Sequence, residues 1–249
     1  MAEIFRTFFY QPLLNLLVFF YNIIPGGDLG ISIVVLTVLI KLALSPLSKK
    51  SIKSQKALQD LQPKIDEIKK KYADNKEEMG RAMMDVYKDN KINPFSSCLP
   101  LLIQLPFLWA VYRVFRDGFS NLDLVYPFIS QPETVNYISL GFLDLAKPNL
   151  VLAVLAGVAQ FWQAKMMSSK KPTVKSAGAK DENMANIMNK QMMYFMPVLT
   201  IFIGASLPGG LTLYWFVTTL LTSIQQLLIF NKTKKDSAEP KIIEGEITK

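Results

Sequence analysis

The sequence predicts an all-α integral membrane protein: a five-span helical bundle with an N-terminal interfacial helix and a cytoplasmic helical hairpin. Half of the 249 residues are apolar, and they are gathered into separate blocks. Several of these blocks approach the roughly 20 helical residues that cross a hydrocarbon core of about 30 Å. Lys-rich stretches separate the blocks, and the net charge of +8 is typical of a membrane protein with basic cytoplasmic loops. Block length and charge segregation together predict the class.

The first apolar block, within residues 1–28, predicts an amphipathic helix at the membrane interface. Phe and Leu side chains cover one side of the stretch from Ile4 to Ile24. The polar residues fall on a single helical stripe, at Glu3, Thr7, Gln11, Asn15 and Asn22. An apolar helix with one polar stripe suits the interface, although a full crossing is the alternative that charge counting does not separate. A signal peptide is less favoured, because no basic n-region or small-residue cleavage site is evident.

Five further blocks predict membrane-spanning helices. They comprise residues 29–47, 99–116, 149–167, 192–206 and 209–230. The connecting segments are a cytoplasmic hairpin at 48–95, an extracytoplasmic loop at 117–148, a cytoplasmic loop at 168–191 and a cytoplasmic tail at 231–249. Only Leu207–Gly210 separates the last two spans, and a turn that tight predicts an antiparallel hairpin.

Loop charges predict the orientation of the bundle. The segment 49–91 has 12 Lys/Arg against 8 Asp/Glu, and the segment 165–190 has 6 against 2. The loop 117–148 has one Lys against 4 acidic residues. Because Lys and Arg are enriched on the cytoplasmic side, we expect the first two segments and the C-terminus inside the cell. With five spans, the N-terminus is then outside.

Residues 48–95 are periodic enough to predict two packed helices. The first seam consists of Leu58, Leu61, Ile65, Ile68 and Tyr72, and the second of Met79, Met83, Val86 and Tyr87. Spacings of three and four are typical of a packed helical face. Ala73–Asn75 is the expected turn. The hairpin is either a solvated, self-packed projection or a docking surface for the ribosome or targeting factors.

The residue inventory argues against an enzyme. The chain has no His and a single Cys, Cys98. These counts exclude Ser-His-Asp and Cys-His catalysis, the common zinc sites and an intrachain disulfide, so we expect neither a catalytic residue nor a metal or other cofactor. The predicted spans contain no Asp or Glu, which argues against a transporter coupled to protons or sodium ions.

Lys41 lies inside the first predicted span, where a cation costs about 2.5–3.5 kcal/mol. One explanation is snorkelling, since Leu47 lies only about 9 Å further along the helix axis. The other is a buried charge that faces a wet cavity. Polar residues of other spans could line that cavity or bond helices together: Gln104, Gln160, Gln163, Thr200, Thr219 and Thr222.

Four methionines form a separate stripe at the entry to the fourth span. They are Met184, Met188, Met192 and Met196, spaced four residues apart. Most such stripes pack in a core. A flexible thioether face also suits a surface that accepts varied apolar partners.

Several stretches together resemble the YidC/Oxa/Alb family of membrane protein insertases. They are Leu36–Leu47, Asn93–Phe95 with Cys98–Phe107, Met196–Val198, Leu207–Leu211, and Leu213–Trp215 ahead of the Gln225-Gln226 pair. The second stretch is highly specific. Order, spacing and the intervening charged hairpin all match, so the resemblance covers residues 3–232. Five spans look like the bacterial and organellar members rather than the shorter archaeal relatives, here without a large periplasmic domain.

The resemblance implies a cytoplasm-open polar groove that admits the polar flank of an incoming segment. By position, it makes Lys41 the groove cation, Gln163 a lining residue and Trp215 a groove-side aromatic. We expect Gln104, Thr200 and Thr219 to line the groove as well, and Met192 and Met196 to offer an apolar contact face. The implied partners are nascent membrane proteins and the lipid bilayer, with the ribosome, the signal recognition pathway and the Sec translocon as further candidates. Neither direct nucleic-acid recognition nor a cofactor is implied, and the location is a bacterial plasma membrane.

One residue departs from the family pattern. The family usually has arginine where this chain has Lys41. Lysine keeps the charge but loses the planar fork of donors, so charge attraction survives and bidentate recognition does not. The alternatives to an insertase are a structural subunit of a larger translocon complex and, less favoured, a small-solute transporter. The short tail, with 5 Lys against 4 acidic residues, weakens the case for tethering a ribosome there.

Overall fold

The computed structural model describes residues 3–93, 99–116, 122–167 and 193–238, which form a mostly helical bundle. Helix α1 comprises Glu3–Phe5, a π-helical turn at Arg6–Tyr10, and Gln11–Ile23. The other helices are α2 (Leu29–Ala43), α3 (Ser45–Lys71), α4 (Lys76–Asp89), α5 (Leu99–Arg116), α6 (Leu150–Met167), α7 (Met193–Gly204) and α8 (Gly209–Ala238). A 3₁₀ turn (Leu122–Leu124) and antiparallel strands β1 (Ile138–Ser139) and β2 (Leu143–Asp144) lie between α5 and α6. The largely helical class is confirmed.

Among the residues that the structure describes, two helices are long and apolar enough to cross a membrane. They are α6 and the segment Gly209–Asn231 of α8. A third crossing is counted only if α2 and α3 are taken as one span, and their axes differ by 69°. Helix α7 is apolar but shorter, and α5 carries Gln104, Arg113 and Arg116. The structure therefore has two or three candidate spans by length and composition, and the count of five stays a prediction.

The bend between α2 and α3 follows from Pro46. Helix α2 ends at Ala43, and Leu44 still donates its N–H to the carbonyl of Ile40 at 2.9 Å. Pro46 has no N–H to continue this ladder, and its fixed φ angle suits the first turn of a helix. The chain therefore restarts as a new helix at Ser45, which points the basic α3 in a different direction from α2.

The apolar core lies at one end of the bundle. It combines α1 with the first halves of α2 and α8 and the last residues of α5. Its members include Tyr10, Leu13, Leu14, Leu17, Val18, Leu29, Ile33, Leu36, Ala110, Val111, Val114, Phe115, Leu211 and Tyr214. Because α2 and α8 begin at this end and α5 finishes there, the core lies opposite the α2–α3 bend. We call it the closed end.

The outer surface of the bundle is apolar. Helix α2 exposes a stripe at a helical spacing, Ile31, Val35, Leu39 and Leu42. Helices α6 and α7 expose Leu150, Val151, Val158, Phe195, Val198 and Phe202, each by more than half. Water-soluble proteins rarely expose contiguous apolar patches of this extent. The surface instead suits contact with lipid.

The polar stripe of α1 holds the loop that follows α5. Gln11 and Asn15 both donate from their side-chain amides to the carbonyl of Leu124 at 3.1 Å. Asn15 also accepts from the N–H of Tyr126 at 2.6 Å and is only 2% exposed. Asn22 donates to the carbonyl of Ser130 at 2.7 Å. Three members of the polar stripe are thus bonded to the backbone of the loop, and whether α1 lies along the interface stays a prediction.

The Leu207–Gly210 turn is fixed by the same loop. Gly209 and Gly210 donate their N–H groups to the carbonyls of Lys147 and Leu145, both at 2.9 Å. The ring of Phe115 lies against the Cα of Gly210, where an added Cβ would overlap it. Gly210 is therefore required by packing, because no larger residue fits beneath the aromatic ring.

Asp28 caps α2 and joins it to the β-hairpin. Its Oδ1 accepts from the N–H of Ile31 at 3.0 Å and from the hydroxyl of Ser139 at 2.6 Å, and its Oδ2 accepts from the N–H of Leu140 at 2.7 Å. Burial by itself raises the pKa of Asp28, but these hydrogen bonds together outweigh it and hold the pKa below its usual value. The carboxylate thus stabilises the closed end in its charged form.

We expect Gly210→Ala to destabilise the protein by about 1–3 kcal/mol, the cost of overpacking a filled site. The measurement is the thermal unfolding midpoint in detergent micelles. Gly80→Ala is the control, because the space around Gly80 is open to 4 Å and alanine favours helix. A midpoint for Gly210→Ala equal to that of wild type would contradict the packing described.

We expect Asp28→Asn to lower the unfolding midpoint at pH 7, because the charged acceptor of three hydrogen bonds is lost. A lowered folded pKa gives stability that is present above the unfolded pKa of about 3.9 and is lost as the pH falls through the folded value. The gap between wild type and variant should therefore close below about pH 4. Midpoints measured from pH 7 to pH 3 test this, and a constant gap would show that the charge is not responsible.

Candidate functional site

Lys41 lies in the last turn of α2, where its amine faces α8 and α5. The Nζ atom donates to the hydroxyl of Thr222 at 2.9 Å and lies 3.5 Å from Oε1 of Gln104. Thr222 in turn donates to the carbonyl of Thr218 at 2.7 Å. The neighbouring Leu42 is 66% exposed on the lipid-facing side. The helix therefore presents its lysine inward and its leucine outward.

Gln104 connects this lysine to the core. Its Nε2 donates to the hydroxyl of Tyr214, which is 1% exposed and belongs to the closed end. Helices α2, α5 and α8 thus meet in one hydrogen-bonded cluster of four side chains, which we call the lysine cluster: Lys41, Gln104, Tyr214 and Thr222. The cluster lies where the apolar core gives way to polar side chains.

The charge of Lys41 has no opposite partner among the residues that the structure describes. In those ranges, no Asp or Glu lies within ion-pairing distance of its Nζ atom. A cation held by neutral oxygens keeps most of its field, since hydroxyl and amide groups solvate the charge without cancelling it. The site can therefore attract a carboxylate or another electron-rich polar group.

Further polar atoms lie on α8 beyond the core. Gln225 Oε1 and Gln226 Oε1 are buried and accept no hydrogen bond within the described part of the chain. Buried acceptors of this kind are normally satisfied in a native protein. Their concentration near the lysine cluster makes this half of the bundle polar, in contrast to the closed end. We call it the polar end.

The structure separates the predicted site residues into two groups. Lys41 and Gln104 are brought together, whereas their place in a shared cavity stays a prediction. Thr200 lies elsewhere: it is 2% exposed and donates to Oε1 of Gln160 between α7 and α6. Thr200 therefore acts as a bond between helices in this structure. Gln163, one turn beyond Gln160, is half-buried without a bond to the lysine cluster.

The remaining predicted residues have separate positions. Thr219 is 7% exposed, and its carbonyl accepts from the hydroxyl of Ser223 at 2.9 Å. Trp215 is half-buried on α8. Met196 is 38% exposed on α7, beside Phe195. Met192 lies outside the described residues.

Sequence reasoning did not single out Tyr214 as a site residue, and it named Thr222 only among the polar residues that could line a cavity. Both belong to one face of α8, since Tyr214, Thr218 and Thr222 are spaced four residues apart. That spacing was available in the sequence as a signal. What the sequence lacked was the pairing of this face with Lys41, which depends on how α8 packs against α2.

The middle of α3 lies against the polar end. Lys56 Nζ lies 5.6 Å from the ring centroid of Phe230 in α8 and pairs with Asp60 at 2.6 Å. Gln59 donates to the carbonyls of Met166 and Met167, the last residues of α6, at 3.4 and 3.3 Å. Helix C-termini leave carbonyls without intrahelical partners, so Gln59 caps α6. The basic hairpin is thereby attached to the end of the bundle where Lys41 lies.

An apolar-surfaced helical bundle, with a cation among its helices that has no acidic partner in the described residues, defines an α-helical membrane protein with a polar internal site. The comparisons with known proteins agree. Residues 19–236 match the family model described as 60Kd inner membrane protein. The chain belongs to this family of inner membrane proteins.

Curated relatives carry the name membrane protein insertase YidC. The one from Fusobacterium nucleatum is 36% identical over 230 residues, which cover 91% of this chain and 98% of the relative. Those from Geobacter sulfurreducens and Nitratidesulfovibrio vulgaris are 36% and 34% identical over 88% and 90% of this chain. The chain spans only 36% and 39% of the length of these two relatives.

We expect Thr200→Val and Gln160→Leu each to lower stability, and the double variant to lose less than the sum. The coupling between polar side chains of packed membrane helices averages about 0.6 kcal/mol. Unfolding free energies in mixed micelles give the double-mutant cycle. Thr200→Val combined with Gln163→Leu is the control and should be additive, because the structure shows no bond between that pair. Additivity in both cycles would show that the Thr200–Gln160 bond does not contribute to stability.

Proposed function

We propose that this protein is a membrane protein insertase, which helps transmembrane segments of client proteins to enter the bilayer. The observation that carries the proposal is Lys41, a cation without an acidic partner among the described residues, which Thr222 and Gln104 hold inward at the boundary of the polar end. The family and the names of the relatives support the same activity. The family is one of non-enzymatic insertases, and the proposal accordingly assigns no catalytic residue and no cofactor.

The physical problem that an insertase solves is kinetic. An apolar helix gains free energy on entering lipid, but its polar flank must first cross the hydrocarbon. A charged residue at the centre of a bilayer costs about 2.5–3.5 kcal/mol on insertion scales. A polar groove with a fixed cation lowers this barrier for acidic or hydroxyl-bearing flanks, because their charge finds a partner within the membrane.

The two ends of the bundle support a groove that is open on one side only. The closed end is filled by apolar side chains of α1, α2, α5 and α8. The polar end holds the lysine cluster and the buried oxygens of Thr218, Gln225 and Gln226. Loop charges put the polar end on the cytoplasmic side, beside the basic α3. We infer a groove that admits a client's flank from the cytoplasm and does not lead through the membrane.

An apolar face beside the groove would receive the client's hydrophobic segment. Helix α7 exposes Tyr194, Phe195 and Met196 where it begins, at the same end as Lys41. A flexible thioether and aromatic edges adapt to many apolar shapes. We assign Met196 to this face and extend the assignment to Met192 by its place in the sequence. Gln163, Trp215 and Thr219 would line the groove on α6 and α8.

The location and partners follow from this activity. The protein would lie in a bacterial inner membrane with its N-terminus outside and its C-terminus in the cytoplasm. Its clients would be nascent membrane proteins, and its lipid-facing helices would contact the bilayer. The α3–α4 hairpin would be the surface that meets the ribosome, the signal recognition pathway or the Sec translocon.

We expect Lys41→Met to reduce insertion of a single-span client with an acidic N-terminal flank by about tenfold, equivalent to about 1.4 kcal/mol. Lys41→Arg should insert like wild type, because it keeps the charge. The measurement is the yield of protease-protected client in proteoliposomes. Lys49→Met is the matched control, since Lys49 is exposed beyond the bend.

A second client, with its acidic flank residues changed to amides, separates charge from shape. Its insertion should fall much less with Lys41→Met. Equal insertion of the acidic client by all variants would remove Lys41 from the mechanism and favour a structural role for it. No insertion above empty liposomes by wild type would overturn the activity itself.

A further inference from the structure

The β-hairpin at the closed end has an apolar outward face. Ile138, Leu140 and Phe142 alternate along the chain and are 49%, 63% and 80% exposed. Ser139, between the first two, points inward and is 2% exposed. A hairpin that lies on a protein surface in water shows the reverse pattern, with polar residues outside. The pattern indicates that the outward face does not meet bulk water.

The turn of this hairpin holds a leucine in a backbone conformation that leucine disfavours. Leu140 and Gly141 have φ angles of 54° and 81°, and Phe142 donates its N–H to the carbonyl of Ser139 at 3.2 Å. Two successive positive φ angles define a turn that favours Asn, Asp or Gly at its first central position. Leucine does not stabilise this turn. We therefore infer that the outward-directed side chain of Leu140 has a role of its own.

The position of the turn is fixed against the start of α2. Asp28 accepts from the N–H of Leu140 with one carboxylate oxygen and from the N–H of Ile31 with the other. Ile31 is the first residue of the exposed apolar stripe of α2, which continues through Val35 to Leu42. The tip of the hairpin is therefore continuous with the lipid-facing surface, at the level where α2 leaves the membrane.

The charge of the loop that contains the hairpin indicates which kind of contact the hairpin tip makes. The loop 117–148 contains one Lys against 4 acidic residues, and the turn itself has no charged side chain. An acidic loop does not bind anionic headgroups through salt bridges. Exposed leucine and phenylalanine side chains instead suit the boundary between headgroups and acyl chains, where apolar groups leave water.

We propose that the hairpin tip, Leu140–Phe142, inserts into the bilayer interface at the N-terminal end of α2, with Leu140 and Phe142 as apolar anchors. The anchor acts on α2 directly, because Ser139 packs against Gly30 and bonds to Asp28. It thereby holds the start of α2 at one depth. Lys41, about 18 Å further along the helix, keeps its depth in consequence.

Spin-label accessibility in liposomes tests this placement. In the full-length chain with Cys98→Ser, one label is placed by Phe142→Cys and a control label by Glu133→Cys, an exposed position in the same loop. Collision rates are measured with oxygen, which concentrates in lipid, and with a water-soluble nickel chelate. The ratio of oxygen to nickel collisions at position 142 should exceed the ratio at position 133. Adding Leu140→Asn, which suits the turn but removes one anchor, should shrink the excess.

Two outcomes would overturn the proposal. Equal ratios at positions 142 and 133 would place the tip in water. Shielding at 142 that disappears when the protein is diluted in excess lipid would assign the face to a second copy of the chain. The label reports depth whether or not clients are inserted, so failure here is distinguishable from failure of the insertase proposal.

Discussion

The arrangement of this protein depends on keeping a charged amine among membrane helices. A lysine ammonium has three N–H donors, and hydrocarbon offers no acceptor for any of them. Lys41 finds neutral oxygens on α8 and α5, from Thr222 and Gln104. Three helices from distant parts of the sequence must therefore meet at one point. Because these oxygens carry no net charge, the amine keeps an electric field that a carboxylate would have removed, and the proposed function depends on that field.

A bundle with such a site needs an apolar end to remain folded. The core formed by α1, α2, α5 and α8 supplies it, and the loop between α5 and α6 completes it with Leu145. Polar side chains at this end bind backbone: Asn15 fixes Tyr126, and Asp28 fixes Leu140. Satisfied polar groups rigidify, whereas the buried oxygens of Gln225 and Gln226 at the other end have no hydrogen-bond partner in the described part of the chain. One end stabilises the fold, and the other is the end that we propose to bind clients.

Much of the fold could be predicted from local sequence, because apolar block length, proline and glycine act locally. The block at 149–167 predicts α6, which begins at Leu150, and the two glycines after Pro208 predict the start of α8 at Gly209. The site was predicted less completely. Lys41 and Gln104 meet, but Thr200 bonds to Gln160 instead, because its side of α7 faces α6. Polar residue type alone does not tell which helix face meets which.

The sequence by itself determined the helical class and the family, since composition and motif order need no coordinates. It left open whether Lys41 snorkels or faces inward, because the cost of a charge in lipid does not choose between the two. Tertiary structure decided the partners. In the tertiary structure, Lys41 bonds to Thr222 across 181 positions of sequence. Polar residues of α1 likewise bond to a loop that begins more than 100 residues later. The tertiary structure also turned Leu140 outward. Such contacts depend on how whole helices and loops pack, and a hydrogen bond between distant residues leaves no periodic signal in a single chain.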